Sequence, residues 1–378
     1  MMPNNTNILL VAEAYGYEEA IAKHPFVGAA GRELVRLLSE TKLAPEIGVK
    51  FPTPPHLINY WSRLRDINGI TVTNVFNAHP ANNNILDFFT SRSEGDTTLP
   101  SLRVGTTVKY LKPHLRHHVE TLHELISTTQ PKLIIALGNI AMWGLINTTG
   151  IGELRGVVHD TKWGIPLIAT YHPSAILRQY SLRVTAKADL NRARNILNNG
   201  VSKISRWILT RPSLSEIENW FDQKAESYAI DIESGRALYT RAELKRMTGY
   251  MNRILNEQIS LISFARDAQN AIVIPIMTRE NEDLNYWRTP GDEIAAWKLI
   301  QRACASPIPK IFQNGMYDIS ILLRHKIIVH NAIHDTMLLS HSLYPELPKA
   351  LGFLGSIYTD LGAWKTWYGS GEDLKQDS

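Results

Sequence analysis

Cysteine is nearly absent from this sequence, whose 378 residues contain only one, Cys304. A single cysteine excludes an intramolecular disulfide and any metal or iron–sulfur site built from several thiolates. Long apolar runs are also lacking, since none approaches the roughly 20 residues that a membrane-spanning helix requires. The first seven residues are polar and lack the apolar core of a signal peptide. These absences predict a soluble protein of the cytoplasm that has no membrane partner.

The length and composition of the chain favour two globular domains. Hydrophobic residues make up 44% of it and charged residues 20%, which is ordinary for a protein with sizeable cores. In the first half, short apolar runs alternate with amphipathic helical patterns, as in an α/β fold with a central parallel sheet. The predicted strands are residues 7–12, 70–76, 132–137 and 166–170, and the predicted helices are 31–41, 111–128 and 186–197. Residues 81–107 are polar and rich in Gly, Ser and Thr, which predicts a long surface loop or insertion.

The pattern changes near residues 198–203, which predicts a boundary between a first domain, 1–200, and a second, 205–378. Residues 228–232, 259–265 and 271–276 are predicted strands, and the last two are predicted to form a hairpin. A helix over 292–305, a strand over 310–312 and a helix over 316–325 are predicted to follow. A meander of strands followed by strand–helix units is typical of an RNase H-like nuclease fold.

Positive charge is concentrated in the first domain. Residues 1–200 contain 20 basic and 15 acidic residues, whereas residues 201–378 contain 20 basic and 21 acidic ones. The densest basic stretch, opposed only by Asp189, consists of Arg178, Arg183, Lys187, Arg192 and Arg194. Such a stripe is the electrostatic footprint of phosphate binding. A solvated helix face gives the same pattern, so charge leaves both interpretations open.

Three polar side chains of the first domain lie at the ends of predicted strands. Glu13 follows the first strand, Asn74 lies near the end of the second, and His172 follows the strand 166–170. In an open α/β sheet, ligands bind beyond the carboxyl ends of the strands. We therefore expect these three side chains to converge on one pocket.

The same residues, together with Phe26, suit the removal of a base from DNA. An enzyme that acts on a base must first flip it out of the stack. The ring of Phe26 could then hold the base, and the amide of Asn74 could read its Watson–Crick edge. His172 could stabilise a departing uracil anion at O2, while Glu13 could orient water or stabilise the oxocarbenium-like sugar. Each residue alone has a commoner structural role, so the argument depends on order and spacing.

Five sequence motifs, four of which contain these candidate residues, occur in the order on which the argument depends. They are AEAYG at 12–16, HPFVGAAG at 24–31, TNVFNAHP at 73–80, LGNIA at 137–141 and YHPSAILR at 171–178. Together they resemble the uracil-DNA glycosylase superfamily, most closely its family-4-like branch and the phage relatives of that branch, over roughly residues 7–196. The resemblance implies an αβα sandwich with a central parallel sheet, and uracil-containing DNA as the substrate.

The resemblance also implies roles for individual residues. Glu13 becomes the carboxylate of the first motif, and Phe26 the ring that stacks on uracil. Asn74 becomes the uracil reader, and His172 the catalytic histidine on the O2 side. The turn residues Ala14, Tyr15 and Gly16 are implied to line the uracil site, and Ser174 and Arg178 to contact DNA.

The chain departs from the family pattern at several positions. Ala12 replaces the glycine that precedes the glutamate, and Tyr15 replaces a proline. The family-4 cysteines that hold a [4Fe–4S] cluster are missing, one of them at Ala78, so neither a cluster nor any other cofactor is expected for this domain. Because Tyr15 would reshape the turn, an alternative is an inert glycosylase fold that senses uracil or grips DNA.

The second domain carries carboxylates suited to a metal-dependent nuclease. Asp231 and Glu233 lie at a strand end on the same face, because side chains alternate along a strand. Asp318 lies in the first turn of the helix after the 310–312 strand. An oxygen-only set suits Mg²⁺ or Mn²⁺, and two-metal phosphodiester hydrolysis requires such carboxylates. Asp231, Glu233 and Asp318 are thus the predicted catalytic residues and metal ligands.

These residues resemble motifs of the DnaQ-like 3′→5′ exonuclease domain of family A DNA polymerases. The first motif, D-x-E, corresponds to Asp231 and Glu233, and the second, N-x-x-x-D, to Asn314 and Asp318. The stretches HDTM at 334–337 and LGFL at 351–354 also match, and the resemblance covers roughly residues 226–368. It implies that Asn314 contacts DNA, and that a polymerase domain or subunit is a partner. The third motif, Y-x-x-x-D, is not found, so the nuclease is expected to be incomplete or part of a longer polymerase.

Three hypotheses follow. The first is a uracil-DNA glycosylase fused to a proofreading-type nuclease module. The second is the inert, DNA-binding glycosylase fold beside a family A polymerase. In the third, the nuclease acts and the first domain only positions DNA.

Overall fold

The structure is a computed structural model that describes residues 7–44, 54–201 and 205–359. No described helix is both long and apolar enough to cross a membrane. The described residues form two units. The first contains the described part of residues 1–202 and of 352–369, and the second contains the described part of 203–351.

The elements of the first half are, in chain order, β1 (Ile8–Ala14), α1 (Tyr17–Ala22), α2 (Ala29–Glu40), α3 (Pro54–Asn68), β2 (Ile70–Phe76), β3 (Phe89–Thr90), β4 (Leu102–Val104), β5 (Thr107–Leu111), α4 (Arg116–Thr129), β6 (Leu133–Leu137), α5 (Asn139–Ile146), α6 (Ile151–Leu154), β7 (Val158–His159), β8 (Leu167–Thr170), α7 (Pro173–Arg178) and α8 (Leu182–Asn199). The elements of the second half are β9 (Trp207–Thr210), α9 (Leu214–Phe221), β10 (Tyr228–Ser234), α10 (Arg241–Arg246), α11 (Gly249–Glu257), β11 (Ile259–Ala265), β12 (Asn270–Pro275), α12 (Pro290–Ala305), β13 (Lys310–Phe312), α13 (Met316–Arg324), β14 (Ala332–Asp335), α14 (Thr336–Leu343) and α15 (Leu351–Tyr358).

The first unit is a three-layer αβα sandwich, as predicted. Its central sheet has the order β2-β1-β6-β8-β7, in which the first four strands are parallel and β7 is antiparallel. Residues 8–12 of β1 and all of β6 are buried, because helices cover both faces of the sheet and both strands are continuous apolar runs. One core lies between the sheet and helices α2, α3, α7 and α8, and the other lies on the side of α4 and α5.

The segment 81–107, predicted to be a surface loop, is more ordered than that. It contains short 3₁₀ helices and strands β3 and β4, which pair with β5 in a three-stranded antiparallel sheet. Phe88, Phe89 and Leu102 from this segment are buried in the core on the α4 side. The interpretation as a loop was wrong, because the polar composition of the segment outweighs the few apolar residues that anchor it.

The second unit has a six-stranded sheet of order β14-β13-β10-β11-β12-β9. Strands β10, β11 and β12 form an antiparallel meander, and β13 and β14 run parallel to β10. This is the strand order of an RNase H-like sheet and confirms the predicted fold class, including the hairpin of β11 and β12. Strand β9, which was not predicted, adds parallel to β12.

Helix α15 belongs to the first unit, although the sequence placed it in the second domain. Arg155 is fully buried, and its Nε donates to Asp189 Oδ2 at 2.8 Å. One of its terminal nitrogens donates to Ser356 Oγ at 2.9 Å, and its guanidinium lies 5.8 Å from the centre of the Phe353 ring. Residues 352–359 therefore complete the enclosure of an ion pair in the first unit.

Candidate active site

A cavity of about 330 Å³ opens at the carboxyl ends of β1, β2 and β8. The nine residues predicted for the site of the first domain all line it: Glu13, Ala14, Tyr15, Gly16, Phe26, Asn74, His172, Ser174 and Arg178. They converge because parallel strands place their carboxyl ends at one edge of the sheet. The structure thus brings together residues that are up to 165 positions apart (13 to 178) in the sequence.

The ring of Phe26 is held in place from two sides. It stacks against the His172 ring, with centroids 5.9 Å apart and an angle of 25° between the planes, and it lies 6.2 Å from Trp61. The backbone of Phe26 has a φ of +58°, and its carbonyl accepts a hydrogen bond of 3.0 Å from Trp61 Nε1. A Cβ on Gly31 would come within 1.9 Å of that carbonyl oxygen, which explains the glycine in this motif.

Asn74 contributes a polar group that has no partner in the described part of the chain. Its side chain is 3% exposed, and its Nδ2 makes no hydrogen bond there. A buried amide donor without an acceptor costs stability. A ligand carbonyl in the cavity would remove that cost, which suits an amide that reads a base.

His172 is neutral at physiological pH. The backbone N–H of Ser174 donates to His172 Nδ1 at 3.2 Å, and Ser174 Oγ lies 2.7 Å from the same atom. Burial, assisted by the charge of Arg178, lowers the pKa of His172 to about 4. With Nδ1 accepting, the single ring proton is on Nε2, so the neutral ring acts as a hydrogen-bond donor.

Glu13 faces the same cavity and titrates near neutrality. Burial raises the pKa of its carboxyl to about 7, although the Arg178 charge and the Ile140 backbone amide oppose the shift. Gly138, with a φ of +93°, separates Glu13 from His172. A Cβ at this position would lie 2.9 Å from Glu13 Oε1 and 3.2 Å from His172 Cβ. The LGN motif therefore leaves room for both functional side chains.

Several lining residues were missed by the sequence analysis. They are Glu19, Ala30, Pro80, Asn83, Asn84 and Ile85. Pro80 ends the TNVFNAHP motif, and Asn83, Asn84 and Ile85 follow it at the start of the segment predicted to be a surface loop or insertion. Their proximity to Asn74 in the sequence was the available signal. Glu19 also braces the PFVG turn, because its Oε1 accepts from the backbone N–H of Gly28 at 2.9 Å.

The predicted basic stripe is largely occupied by contacts within the unit. Arg183 pairs with Glu33 and Glu40, and Lys187 also pairs with Glu40. Arg192 donates to the carbonyls of Gly156 and Thr359, and Arg194 to that of Thr41. These four side chains hold the fold together, which favours the structural interpretation for them. Arg178, in contrast, lines the cavity.

In the second unit, Asp231 and Asp318 lie close enough to influence each other. Asp231 and Glu233 are on the exposed face of β10, as the alternation predicted. Asp318 is buried and accepts the backbone N–H of Ile232 at 3.1 Å. Burial, reinforced by the charges of Asp231 and Asp335, raises the pKa of Asp318 to about 6.

The predicted metal site is not preassembled in the described residues. Across 7–44, 54–201 and 205–359, no three His, Cys, Asp or Glu side chains are grouped so that they could hold a metal ion. Asn314 has a φ of +60°, and its backbone N–H donates to Asp335 Oδ1 at 3.1 Å. Asp335 also caps α14, and backbone amides lower its pKa against the effect of burial. Its bracing role was not recognised from the sequence.

Comparison with known families gives the class of the first unit. The model of the uracil DNA glycosylase superfamily matches residues 1–197. The chain therefore belongs to the uracil DNA glycosylase superfamily.

Two type-4 uracil-DNA glycosylases are among its relatives. The protein of Pyrobaculum aerophilum is 29% identical over 191 residues, which cover 48% of this chain and 74% of the relative. The protein of Archaeoglobus fulgidus is 26% identical over 193 residues, which cover 49% of this chain and 74% of the relative. An iron–sulfur cluster of the family-4 kind does not fit this chain, because residues 1–201 contain no cysteine and Cys304 is buried in the second unit.

Solved structures similar to the chain include two nucleases. One, described as the apo form of the nuclease, has a TM-score of 0.23 and 17% identity and covers 40% of this chain. The other, Brucella melitensis NrnC with bound Mg²⁺, has a TM-score of 0.25 and 17% identity and covers 43% of this chain. The chain spans 57% and 64% of these two structures. At such TM-scores the likeness supports no conclusion about function.

Proposed function

We propose that this protein removes uracil from DNA by hydrolysing the N-glycosidic bond. The observation that carries the proposal is the convergence of Phe26, Asn74, His172 and Glu13 on one cavity, where Asn74 Nδ2 has no hydrogen-bond partner among the described residues. Membership of the glycosylase superfamily supports the same reaction class. DNA that contains uracil is accordingly the proposed partner.

Each side chain has a distinct part in the proposed reaction. Phe26 holds the flipped base, and the Asn74 amide donates to a base carbonyl. As the bond from C1′ to N1 breaks, its electron pair leaves with the uracil ring, and the N–H of neutral His172 stabilises the charge at O2. Water bonds to C1′ and loses a proton, and the ionised Glu13 carboxylate orients that water or stabilises the cationic sugar.

The direct test uses an oligonucleotide that contains one uracil. After incubation with the protein, alkali breaks the strand wherever a base has been lost. We expect a single break at the uracil position, with or without EDTA, and no break in the matching thymine oligonucleotide. Tight uracil-dependent binding without a break would instead identify an inert uracil-sensing fold and overturn the proposed hydrolysis.

The rate of uracil release should rise with pH through about 7. The pKa of Glu13 is about 7, so its ionised fraction grows between about pH 5.5 and about pH 8, while His172, with a pKa of about 4, stays neutral. For the wild type, the initial rates of uracil release across this pH range should fit a titration curve with a single pKa. Glu13→Gln should give a low rate that does not change with pH. A flat wild-type profile would show that the carboxylate form is not required.

The raised pKa of Glu13 also affects folding stability, which should fall with rising pH while the rate of uracil release rises. The folded state holds the Glu13 proton more tightly than the unfolded state does, so this contribution to stability is full below pH 4.5 and is lost as pH rises through about 7. Glu13→Gln should therefore raise the melting temperature at about pH 8 and change it little at acidic pH. This opposition between stability and activity is common at active sites.

A second candidate function is metal-dependent cleavage of DNA from its 3′ end by the second unit. It is supported by the RNase H-like strand order and by the electrostatic coupling of Asp231 with Asp318. Mg²⁺ or Mn²⁺ would be held by Asp231, Glu233 and Asp318. A polymerase partner remains part of this candidate function and is supported only by the motif resemblance.

Digestion of single-stranded DNA by this chain should be slow and should require Mg²⁺ or Mn²⁺. The reason is that no three-carboxylate group is assembled in the described residues, and Asp318, with a pKa of about 6, already accepts a backbone N–H. A 3′-end digestion time course should lose its metal-dependent part with EDTA or with Asp231→Asn. The control Asp222→Asn changes an exposed aspartate paired with Arg302. Fast digestion, or digestion that persists in EDTA, would contradict this assignment.

A further inference from the structure

Thr170, the last residue of β8, precedes His172 by two positions and is held by both its side chain and its carbonyl. Its side chain is 2% exposed, and its hydroxyl donates to Asp189 Oδ2 at 2.6 Å. Its carbonyl accepts the backbone N–H of Gly138 at 2.9 Å. These two hydrogen bonds tie the end of β8 to helix α8 and to the residue that follows β6.

The Asp189 carboxylate is itself fixed, so Thr170 is bound to a rigid group. Asp189 is 1% exposed and accepts from Nε of the fully buried Arg155 at 2.8 Å, and also from a terminal nitrogen of that residue. The backbone N–H of Gly156 donates to the carbonyl of Ala169 in β8 at 2.8 Å. A Cβ on Gly156 would lie 2.4 Å from Asp189 Oδ1, so this backbone segment packs directly against the carboxylate.

A buried ion pair is better suited to fixing a position than to adding stability. Moving both charges of the Arg155–Asp189 pair out of water offsets most of the energy that their attraction returns. Hydrogen bonds to a charged group are nevertheless shorter and more restrictive than neutral ones. Asp189 Oδ2 accepts from both Arg155 and Thr170, so the Thr170 hydroxyl has one well-defined direction.

The contacts of Thr170 lead directly to the cavity. The chain continues from Thr170 to His172, whose ring stacks on Phe26, and Gly138 lies between His172 and Glu13. A displacement of the end of β8 would therefore move the His172 ring and change its spacing from Glu13. A misplacement of roughly 1 Å can slow a reaction by about 10²-fold.

We propose that Thr170 is a positioning residue, through which the buried Asp189 carboxylate sets where the His172 ring lies in the cavity. Thr170 is not among the residues that line the cavity, so it acts through the backbone of β8. The proposal rests on the proposed function, because His172 serves as a donor to the departing uracil only if the protein releases uracil.

Thr170→Val is the first test, because it keeps the volume of the side chain and removes the hydroxyl. Single-turnover release from an oligonucleotide with one uracil should be about tenfold slower than in the wild type, since His172 is less accurately placed. The affinity for an oligonucleotide with one abasic site should not change, because no side chain that lines the cavity is altered. Thr170→Ser, which keeps the hydroxyl, should recover most of the rate.

Thr41→Val is the matched control. Thr41 follows α2 and is fully buried, its hydroxyl donates to the carbonyl of Leu37 at 2.7 Å, and it is not among the residues that line the cavity. Both valine variants lose a hydrogen bond of a buried hydroxyl and should melt a few degrees lower than the wild type. Only Thr170→Val should slow release. Equal rates for Thr170→Val and the wild type would overturn the proposal, as would an equal loss of rate in Thr41→Val.

The ring of His172 gives a direct measure of its position. In the wild type the backbone N–H of Ser174 donates to His172 Nδ1, so nitrogen-15 NMR should show Nδ1 as a hydrogen-bond acceptor. Thr170→Val should shift this signal, and Thr41→Val should leave it unchanged. His172→Gln, which lacks the ring, identifies the signal. An unchanged His172 signal in a slow Thr170→Val protein would give the loss of rate another cause, and the proposal would fail.

The NMR measurement also separates the positioning role from the proposed function. If the wild type releases no uracil, the proposed hydrolysis is overturned, while a His172 signal that shifts in Thr170→Val still supports the positioning role. If the wild type releases uracil and neither the rate nor the His172 signal responds to Thr170→Val, the positioning role alone is overturned.

Discussion

Replacing His172 by alanine is expected to lower the rate of uracil release by about 10²–10³-fold. The neutral ring donates from Nε2, and alanine leaves the developing negative charge at O2 without that donor. The ring also stacks on Phe26 at 5.9 Å, so part of the loss reflects a less restrained base-holding ring. Single-turnover release from an oligonucleotide with one uracil measures the chemical step directly.

Two further variants separate catalysis from folding. His172→Gln keeps an amide donor and should recover part of the lost rate. His117→Ala removes an exposed histidine of α4 that is not among the residues lining the cavity, and should release uracil at the wild-type rate. If His172→Ala and the wild type release uracil equally, the assigned pocket is wrong.

Asp189→Ala is expected to destabilise the first unit by about 3–5 kcal/mol. Asp189 is 1% exposed, and its carboxylate accepts from Arg155 and from Thr170 Oγ1, the latter at 2.6 Å. Alanine would leave the fully buried Arg155 with an uncompensated charge. Removing one partner of a buried pair costs much more than the intact pair contributes, because the remaining ion has lost its hydration.

Peptide-resolved hydrogen–deuterium exchange measures the loss of stability separately in each of the two units. Amides of β6 and β8 should exchange much faster in Asp189→Ala, whereas those of β10 and β11 should keep wild-type rates. The control Asp222→Ala breaks an exposed pair with Arg302 at 3.2 Å and should cost about 1 kcal/mol or less. A cost for Asp189→Ala as small as that of the control would show that Arg155 is solvated after all.

The sequence predicts the central strands β1 and β6 of the first sheet because burial on both faces leaves a continuous apolar run. Strands β2, β11 and β13 have the predicted bounds, and β1 and β6 differ from them by one or two residues. The convergence of Glu13, Asn74 and His172 was predictable for a related reason. The carboxyl ends of parallel strands share one edge, so residues at those ends meet.

Features that depend on long-range pairing could not be predicted. Arg155 lies 34 residues from Asp189 and 201 from Ser356, and no local pattern reports such contacts. The sequence could not decide between the two interpretations of the basic stripe for the same reason, because its acidic partners Glu33 and Glu40 lie far back in the chain. Helix α3, residues 54–68, was missed as well. It begins with two prolines and carries mixed aromatic and charged residues without a clean period.

The position of α15 has a consequence for synthesis on the ribosome. The chain emerges from its N-terminus, yet Ser356 reaches Arg155 only after 201 further residues, including β9 to α14, have been made. At about 5–20 residues per second, that delay is on the order of 10–40 s. During this interval the first unit lacks helix α15, and the second unit can fold. The first unit therefore receives its helix α15 only after the described elements of the second unit have been synthesised.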